Sequence, residues 1–260
     1  MDNLQLNNTS RRAKQESLPS NHGLESWLQR YGLGASGEEP AASFGNWQIK
    51  RVLAHDTWSA GNVVIFSAEQ PETAKISPSQ QQQFIERAKI LRQGEHAHIQ
   101  PVIDFFVDEN KMRWVVPEMS GVTIDKRLAE DTLPADVSLQ LVAQFTSIVT
   151  YFSLQAPHTI PRLDSSSLIV QPNMNLCAAN FQAEYFFGQS NTAGLLTIGE
   201  FADRIATRTQ ADETQRKLSE LARDLRLNPQ PQHVSTLSKV RNTIKHIEET
   251  VAMAHSKADD

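Results

Sequence analysis

The chain has 260 residues, of which 39% are hydrophobic and 21% charged, a composition typical of a globular protein with one large domain or two small ones. Lys and Arg number 25 against 30 acidic residues, for a net charge of −5, which excludes strong polyanion binding, so no nucleic-acid partner is expected. The single cysteine excludes a disulfide framework and a multi-thiolate zinc site. No run approaches about 18 apolar residues, and residues 1–20 carry no apolar signal core, so we expect no membrane span and a cytoplasmic protein.

Residues 1–45 are predicted to form a flexible N-terminal tail, because Asn, Ser and Gln are frequent at its start and large apolar side chains are few. Within the tail, residues 24–34 are predicted to form a short amphipathic helix with Trp27, Leu28 and Tyr31 on one side. Such a helix either packs on the domain that follows or docks on another protein.

The segment after the tail is predicted to be rich in strands, with one helix. Alternating or β-branched residues predict strands over residues 47–57, 62–69 and 72–77. A helix follows, since Phe84, Ala88 and Leu91 recur at helical spacing and Gly94 is placed to end it. Two more apolar strands then flank a polar turn at residues 108–111.

The remainder of the chain is predicted to be helical. A long helix over residues 134–156 carries Val137, Leu141, Phe145 and further apolar residues at helical spacing. The last 60 residues also have helical periodicity. Strands first and helices after predict an α+β fold with two lobes.

Local sequence agrees with one family that has this order of elements. Residues 84–128 resemble the αC helix, the next two strands and the hinge of bacterial serine/threonine protein kinases, and residues 161–181 resemble the catalytic loop and the start of the activation segment. The matching positions in the first segment are His96, Ile99, Pro101, Val102, Asp104, Phe105, Val116, Glu118, Gly121, Thr123 and Ile124. The resemblance implies a kinase-like N-lobe over residues 46–120 and a shortened, reduced C-lobe over residues 121–255.

The resemblance also implies where a nucleotide would bind. Gly61 would lie in the phosphate loop, Lys75 would reach the phosphates, and Glu118 and Met119 would offer hinge backbone contacts. The loop keeps only this one glycine and places Asp56 beside the phosphates, which would repel them.

The residue that should pair with the nucleotide-binding lysine is also unexpected. The expected αC glutamate falls on Arg87, while Glu86 is one residue away and would point about 100° around the helix. Which of the two faces Lys75 is left open by the sequence.

Positions that carry kinase chemistry are also substituted. Arg162 falls on the catalytic aspartate, and an arginine accepts no proton. Ser167 replaces the metal-holding asparagine, and Ala178 and Asn180 stand where the metal-binding Asp-Phe-Gly is expected, although Mg²⁺ prefers carboxylates. Asp164 is the alternative base, but only after a two-residue shift of the alignment.

Together these departures predict a catalytically inactive protein-kinase-like domain, a pseudokinase, that regulates or scaffolds a protein partner and needs no cofactor or metal. The alternative is an atypical serine/threonine kinase or ATP-binding protein that keeps Lys75 and uses Mg-ATP. A third hypothesis is a structural component that docks through the Trp27 helix. We expect Cys177 to be a small buried hydrophobe and His96 a structural contact rather than a metal ligand.

Overall fold

The computed structural model describes residues 27, 29–33, 37–71, 75–108, 110–155, 161, 163–188, 194–227 and 234–258. Within them the fold is α+β, as predicted, with a sheet in the N-terminal part and helices in the C-terminal part. The strands are β1 (Tyr31–Leu33), β2 (Glu39–Phe44), β3 (Trp47–Asp56), β4 (Gly61–Glu69), β5 (Asp104–Val107), β6 (Lys111–Pro117), β7 (Val122–Thr123), β8 (Leu168–Val170) and β9 (Leu176–Ala178). The helices are α1 (Pro78–Gln93), α2 (Ile124–Glu130), α3 (Ala135–Gln155), α4 (Gln182–Phe187), α5 (Gly194–Ala206), α6 (Asp212–Leu227) and α7 (Val234–Ala258).

The larger sheet is antiparallel and contains β1 to β6. Its main order is β1-β3-β4-β6-β5, and β2 pairs with the first half of β3. Strand β4 pairs directly with the whole length of β6, from Val63 opposite Pro117 to Glu69 opposite Lys111. A smaller sheet, β7-β8-β9, lies in the helical part.

The predicted tail boundary at residue 45 is wrong, because β1 and β2 belong to the larger sheet. Trp27 and Tyr31 are only 7% and 0% exposed, and their rings meet edge to face at 5.0 Å. Of the two interpretations for this segment, packing on the domain is therefore the one observed. The end of the predicted 24–34 helix is a strand, while residues 24–26, 28 and 34–36 lie outside the described residues.

Both faces of the sheet are covered by apolar side chains, which explains why β4 reads as a continuous apolar run. One face packs against α1 through Phe66, Trp114 and their neighbours. The other face packs against the N-terminal segment, where Trp27 and Tyr31 join a cluster with Val52, Ala54, Val63, Ile65 and Val115.

Helix α1 has the start, the buried face and the end that the sequence predicts. Ser77 and Gln80 form a capping box, and Pro78 occupies the first turn. Phe84, Ala88 and Leu91 are buried, as predicted, and Gly94 is the C-cap. These three buried residues pack the helix against the sheet.

The predicted strand over residues 72–77 is absent from the part that the structure describes, residues 75–77. The reason is the direct pairing of β4 with β6, which leaves no gap in the sheet for another strand between them. Residues 72–74 lie outside the described residues.

Helix α3 is the central helix of the C-terminal part and packs against α5 and α7. Its length and a mean hydropathy of 1.3 would suffice for a membrane span, but 61% of the apolar segment is buried inside the fold. Phe145 stacks on Phe201 of α5 at 4.4 Å. These contacts are those of a core helix.

Candidate functional site

The backbone that follows β6 is already bonded to the sheet. The Glu118 N–H donates to the Asn62 carbonyl oxygen at 3.0 Å, and Asn62 Nδ2 donates to Glu118 Oε2 at 3.1 Å. The predicted hinge donor at Glu118 therefore has a protein acceptor, while Met119 beside it is half-buried.

The loop before Gly61 is organised around a buried carboxylate. Asp56 is fully buried and accepts two hydrogen bonds from Arg30, at 2.9 and 3.0 Å. It also accepts from the Trp58 N–H at 3.1 Å and from Ser59 Oγ at 2.8 Å. Burial alone would raise the pKa of Asp56, but these hydrogen bonds outweigh it and lower the pKa to about 2. The loop is therefore stabilised by hydrogen bonds to a buried carboxylate. This negative charge lies where the resemblance would place the nucleotide phosphates.

Gly61 shows no steric need for glycine. A Cβ at this position would meet only Ser59 Oγ, at 3.5 Å, which is an ordinary contact. The backbone of the loop takes its left-handed conformation one residue earlier, at Ala60, with φ of 53°. The single glycine that suggested a phosphate loop is therefore not explained by a close approach of the backbone.

Lys75 is exposed and lies just before the N-cap of α1, outside the sheet. No ion pair within 4 Å joins Lys75 to Glu86 among the described residues. Glu86 is exposed and accepts from Gln82 Nε2 at 2.8 Å, one helical turn away. Glu86 and Arg87, the two candidates that the sequence left open, are thus both bonded to other residues.

Arg87 instead joins α1 to α4. Its Nη1 donates to the carbonyl oxygens of Tyr185 and Phe186, both at 2.7 Å, and its guanidinium lies 5.9 Å from the Tyr185 ring. Burial lowers the pKa of Arg87, but a guanidinium stays charged in a protein at neutral pH. The cation thus satisfies carbonyls at the C-terminal end of α4.

Gln100 is the centre of the polar contacts between the sheet and the segment after β9. It is 1% exposed, and its Nε2 donates to the Pro117 carbonyl at 2.7 Å. Its Oε1 accepts from the Asn180 N–H at 3.0 Å and from Gln182 Nε2 at 3.1 Å. The Gln100 N–H also donates to the Ala178 carbonyl at 2.8 Å. One side chain therefore connects the end of β6 with the turn between β9 and α4.

The segment predicted to be a catalytic loop contains a turn capped by Asp164. Asp164 Oδ1 accepts from the N–H and the hydroxyl of Ser166, at 2.9 and 2.7 Å, and from those of Ser167, both at 2.9 Å. Burial would raise the pKa of Asp164, but these four hydrogen bonds lower it. A carboxylate held in this way is a weak base. Arg162 lies outside the described residues.

The positions at which the resemblance would place metal binding carry no carboxylate, as the sequence shows. Ala178 is buried in β9, and its N–H donates to the His98 carbonyl at 2.8 Å. Asn180 is exposed, with a left-handed φ of 58°. Ser167 gives its hydroxyl hydrogen to Asp164. Across the described parts of the chain, no group of three or more His, Cys, Asp or Glu side chains could hold a metal ion.

Two expectations for single residues agree with the structure. Cys177 is 4% exposed, and burial raises the pKa of its thiol to about 11, so it is not activated as a nucleophile. His96 contacts Ser147 Oγ through Nε2 at 3.2 Å and accepts the His98 N–H at Nδ1, also at 3.2 Å. His96 therefore joins the turn after α1 to α3.

Sequence reasoning missed Gln100 and Asn62. The sequence did contain a signal for Gln100. It is a single amide in the apolar run that begins at Ile99, and a buried amide needs hydrogen-bond partners. Asn62 gave no such signal, since its role depends on which strand lies beside β4.

No family model and no curated protein matches this chain. Three features of the residues described above bear on chemistry: the loop centred on Asp56, the bonded backbone at Glu118, and the lack of carboxylates at Ser167, Ala178 and Asn180.

Proposed function

We propose that the chain is a protein-kinase-like domain without phosphoryl-transfer activity, a cytoplasmic pseudokinase that regulates or scaffolds a protein partner. The order of elements supports the two-lobed kinase-like architecture: strands, helix α1, two more strands, a short connection at residues 118–121, and then helices. The sequence resemblance over residues 84–128 supports it independently.

The observation that carries the loss of activity is the position of Lys75 in an exposed segment outside the sheet. Strand β4, which precedes α1 and pairs with β6, contains no lysine, and the Glu118 N–H is already bonded to the Asn62 carbonyl oxygen. A kinase-type nucleotide site needs a cation on the phosphates and free backbone groups for the base. Mg-ATP does not fit the residues present, because Asn180 offers a neutral amide where a hard cation wants carboxylate oxygen.

A binding module without chemistry must act by shape and by contacts with its partner. The contacts of the sheet and α1 with the segment after β9 favour that role, since Arg87 and Gln100 are bonded there to protein carbonyl and amide groups.

The test is thermal unfolding of the full chain with and without Mg-ATP. We expect no change in Tm, since a ligand that does not bind the native state contributes no stabilisation. Lys75→Ala should behave like the wild type, and Lys126→Ala, which changes an exposed lysine on α2, is the matched control. A rise in Tm with Mg-ATP that Lys75→Ala abolishes and Lys126→Ala retains would establish the ATP-binding alternative instead.

The scaffolding half of the proposal has its own test. A protein that binds the immobilised chain should do so equally well in buffer with EDTA and in buffer with Mg-ATP. Binding that requires Mg-ATP would contradict a nucleotide-independent scaffold.

A further inference from the structure

The helical part contains a groove that includes none of the residues predicted for nucleotide binding, Gly61, Lys75, Glu118 and Met119. It lies between α3 and α7 and has a volume of about 400 Å³, within the usual size range of small-molecule sites. Ala143 and Ile244 contribute apolar surface, while Ser147, Arg241, Asn242 and Lys245 contribute polar groups. The lining thus combines apolar side chains with polar and cationic groups that can bind an anion.

We propose that this groove binds a small organic anion, with its phosphate or carboxylate group held between Arg241 and Lys245. The two side chains are four residues apart and so lie on the same side of α7. Arg241 has no carboxylate within 4 Å among the described residues. Lys245 Nζ is 3.9 Å from Glu249 Oε1 and 73% exposed, so its ion pair is weak.

The charge of the lining favours an anion over a cation. Two cations and one acid, Glu248, line the groove, and Glu249, which is outside the lining, forms only the weak exposed pair with Lys245. A guanidinium and an ammonium offer several N–H donors to one oxyanion, and such charge-assisted hydrogen bonds are about twice as strong as neutral ones.

Ser147 adds a hydroxyl donor to the lining of the groove. Because the His98 N–H donates to His96 Nδ1, the neutral His96 ring carries its hydrogen on Nε2 and donates it to Ser147 Oγ. The hydroxyl hydrogen of Ser147 then points away from His96, and no hydrogen bond from it is found within the described part of the chain. A ligand oxygen in the groove would accept it.

The test is a two-dimensional ¹⁵N–¹H NMR titration of the full chain with sodium phosphate, sodium acetate or sodium chloride at constant ionic strength. We expect phosphate or acetate to shift the amide signals of residues 143–147 and 241–248 in a saturable way, while chloride does not. The anion that saturates at lower concentration identifies the head group as phosphate or carboxylate.

Matched variants separate a site from general charge. Arg241→Gln and Lys245→Gln should each weaken binding by about tenfold, the loss expected for one charge-assisted hydrogen bond. Lys126→Gln is the control, because its Nζ is also 3.9 Å from a glutamate four residues on, outside the groove. Equal shifts with chloride, or equal weakening in Lys126→Gln, would overturn the proposal. The result is independent of the Mg-ATP experiment, because the groove contains none of the residues predicted for nucleotide binding.

Discussion

Glu118 and Asn62 hold each other by two hydrogen bonds, one between their backbones at 3.0 Å and one between their side chains at 3.1 Å. This pair extends the β4–β6 ladder one residue past Pro117. It joins the sheet to the connection that leads into the helical part.

The first prediction concerns Gln100. In Gln100→Leu the Pro117 carbonyl and the Asn180 N–H lose their partners, and we expect the free energy of unfolding to fall by about 2–4 kcal/mol, since unpaired buried polar groups are costly. Urea unfolding measures the loss, and hydrogen exchange at the Asn180 amide should become faster.

Gln144→Leu is the matched control for Gln100. Gln144 is also a buried glutamine, but its partners Asn175 and Leu176 lie in the helical part. This variant should lose stability without faster exchange at Asn180. Identical exchange patterns in the two variants would contradict the bridging role of Gln100.

The second prediction concerns Arg87. Arg87→Gln should lower the free energy of unfolding by about 2 kcal/mol, because two carbonyls of α4 lose a charged donor. Arg87→Glu should cost more, since a carboxylate would face the same carbonyl oxygens. Arg92→Gln, at an exposed position of the same helix, should change stability by less than about 0.5 kcal/mol. Equal losses in Arg87→Gln and Arg92→Gln would refute this account.

The third prediction concerns Gly121, in the connection between the two parts of the fold. Its φ is 138°, and an added Cβ would lie 2.5 Å from the Val170 carbonyl oxygen. Gly121→Ala should therefore destabilise the protein by at least about 2 kcal/mol in thermal or urea unfolding. Gly45→Ala is the control, because Gly45 also has a positive φ, 57°, but open space around it, and only about 1 kcal/mol is expected. A smaller loss of unfolding free energy in Gly121→Ala than in Gly45→Ala would contradict this prediction, because it would show that the backbone around Gly121 can shift to accept a Cβ.

The fourth prediction concerns pH and Asp56. Its pKa is about 2 in the folded protein, below the ordinary value near 3.9, so the folded state favours the charged carboxylate. The stability from Asp56 is therefore present above about pH 4 and is lost as the pH falls toward 2. Asp56→Asn should be less stable at neutral pH, and the difference from the wild type should shrink over that window.

The exposed Asp131→Asn serves as the comparison for Asp56 at neutral pH. It removes an exposed carboxylate and should lower the free energy of unfolding by less than Asp56→Asn does. If the difference between Asp56→Asn and the wild type stays constant between pH 2 and 5, the ion pair with Arg30 contributes no pH dependence.

Elements with strong local signals could be predicted from the sequence. Helix α1 was recognisable from the spacing of Phe84, Ala88 and Leu91, and α3 from its repeated apolar positions. The strands β5 and β6 were recognisable from two apolar runs around a polar turn. In each case the periodicity of a single segment decides its structure.

Elements that depend on distant partners could not be predicted. The N-terminal segment has few apolar residues and was therefore predicted to be a tail. Trp27 and Tyr31 are nevertheless buried against strands that come later in the chain. Lys75 lies in a strand-like sequence, but β4 and β6 pair without leaving a place for it. The partners of Arg87 on α4 and the Asn180 partner of Gln100 lie about 80 to 100 residues further along the chain, a distance at which local patterns give no information.

The attachment of the N-terminal segment also constrains the order of events during synthesis. Arg30 and Tyr31 both bond to Asp104, which lies 74 and 73 residues later in the chain. The ribosome makes Trp27 and Tyr31 first, but their face of the sheet is incomplete until Asp104, Phe106 and Val115 have emerged. Trp27 and Tyr31 therefore wait for partners that are made 73 or more residues later, and during that interval they are a surface that a chaperone would meet.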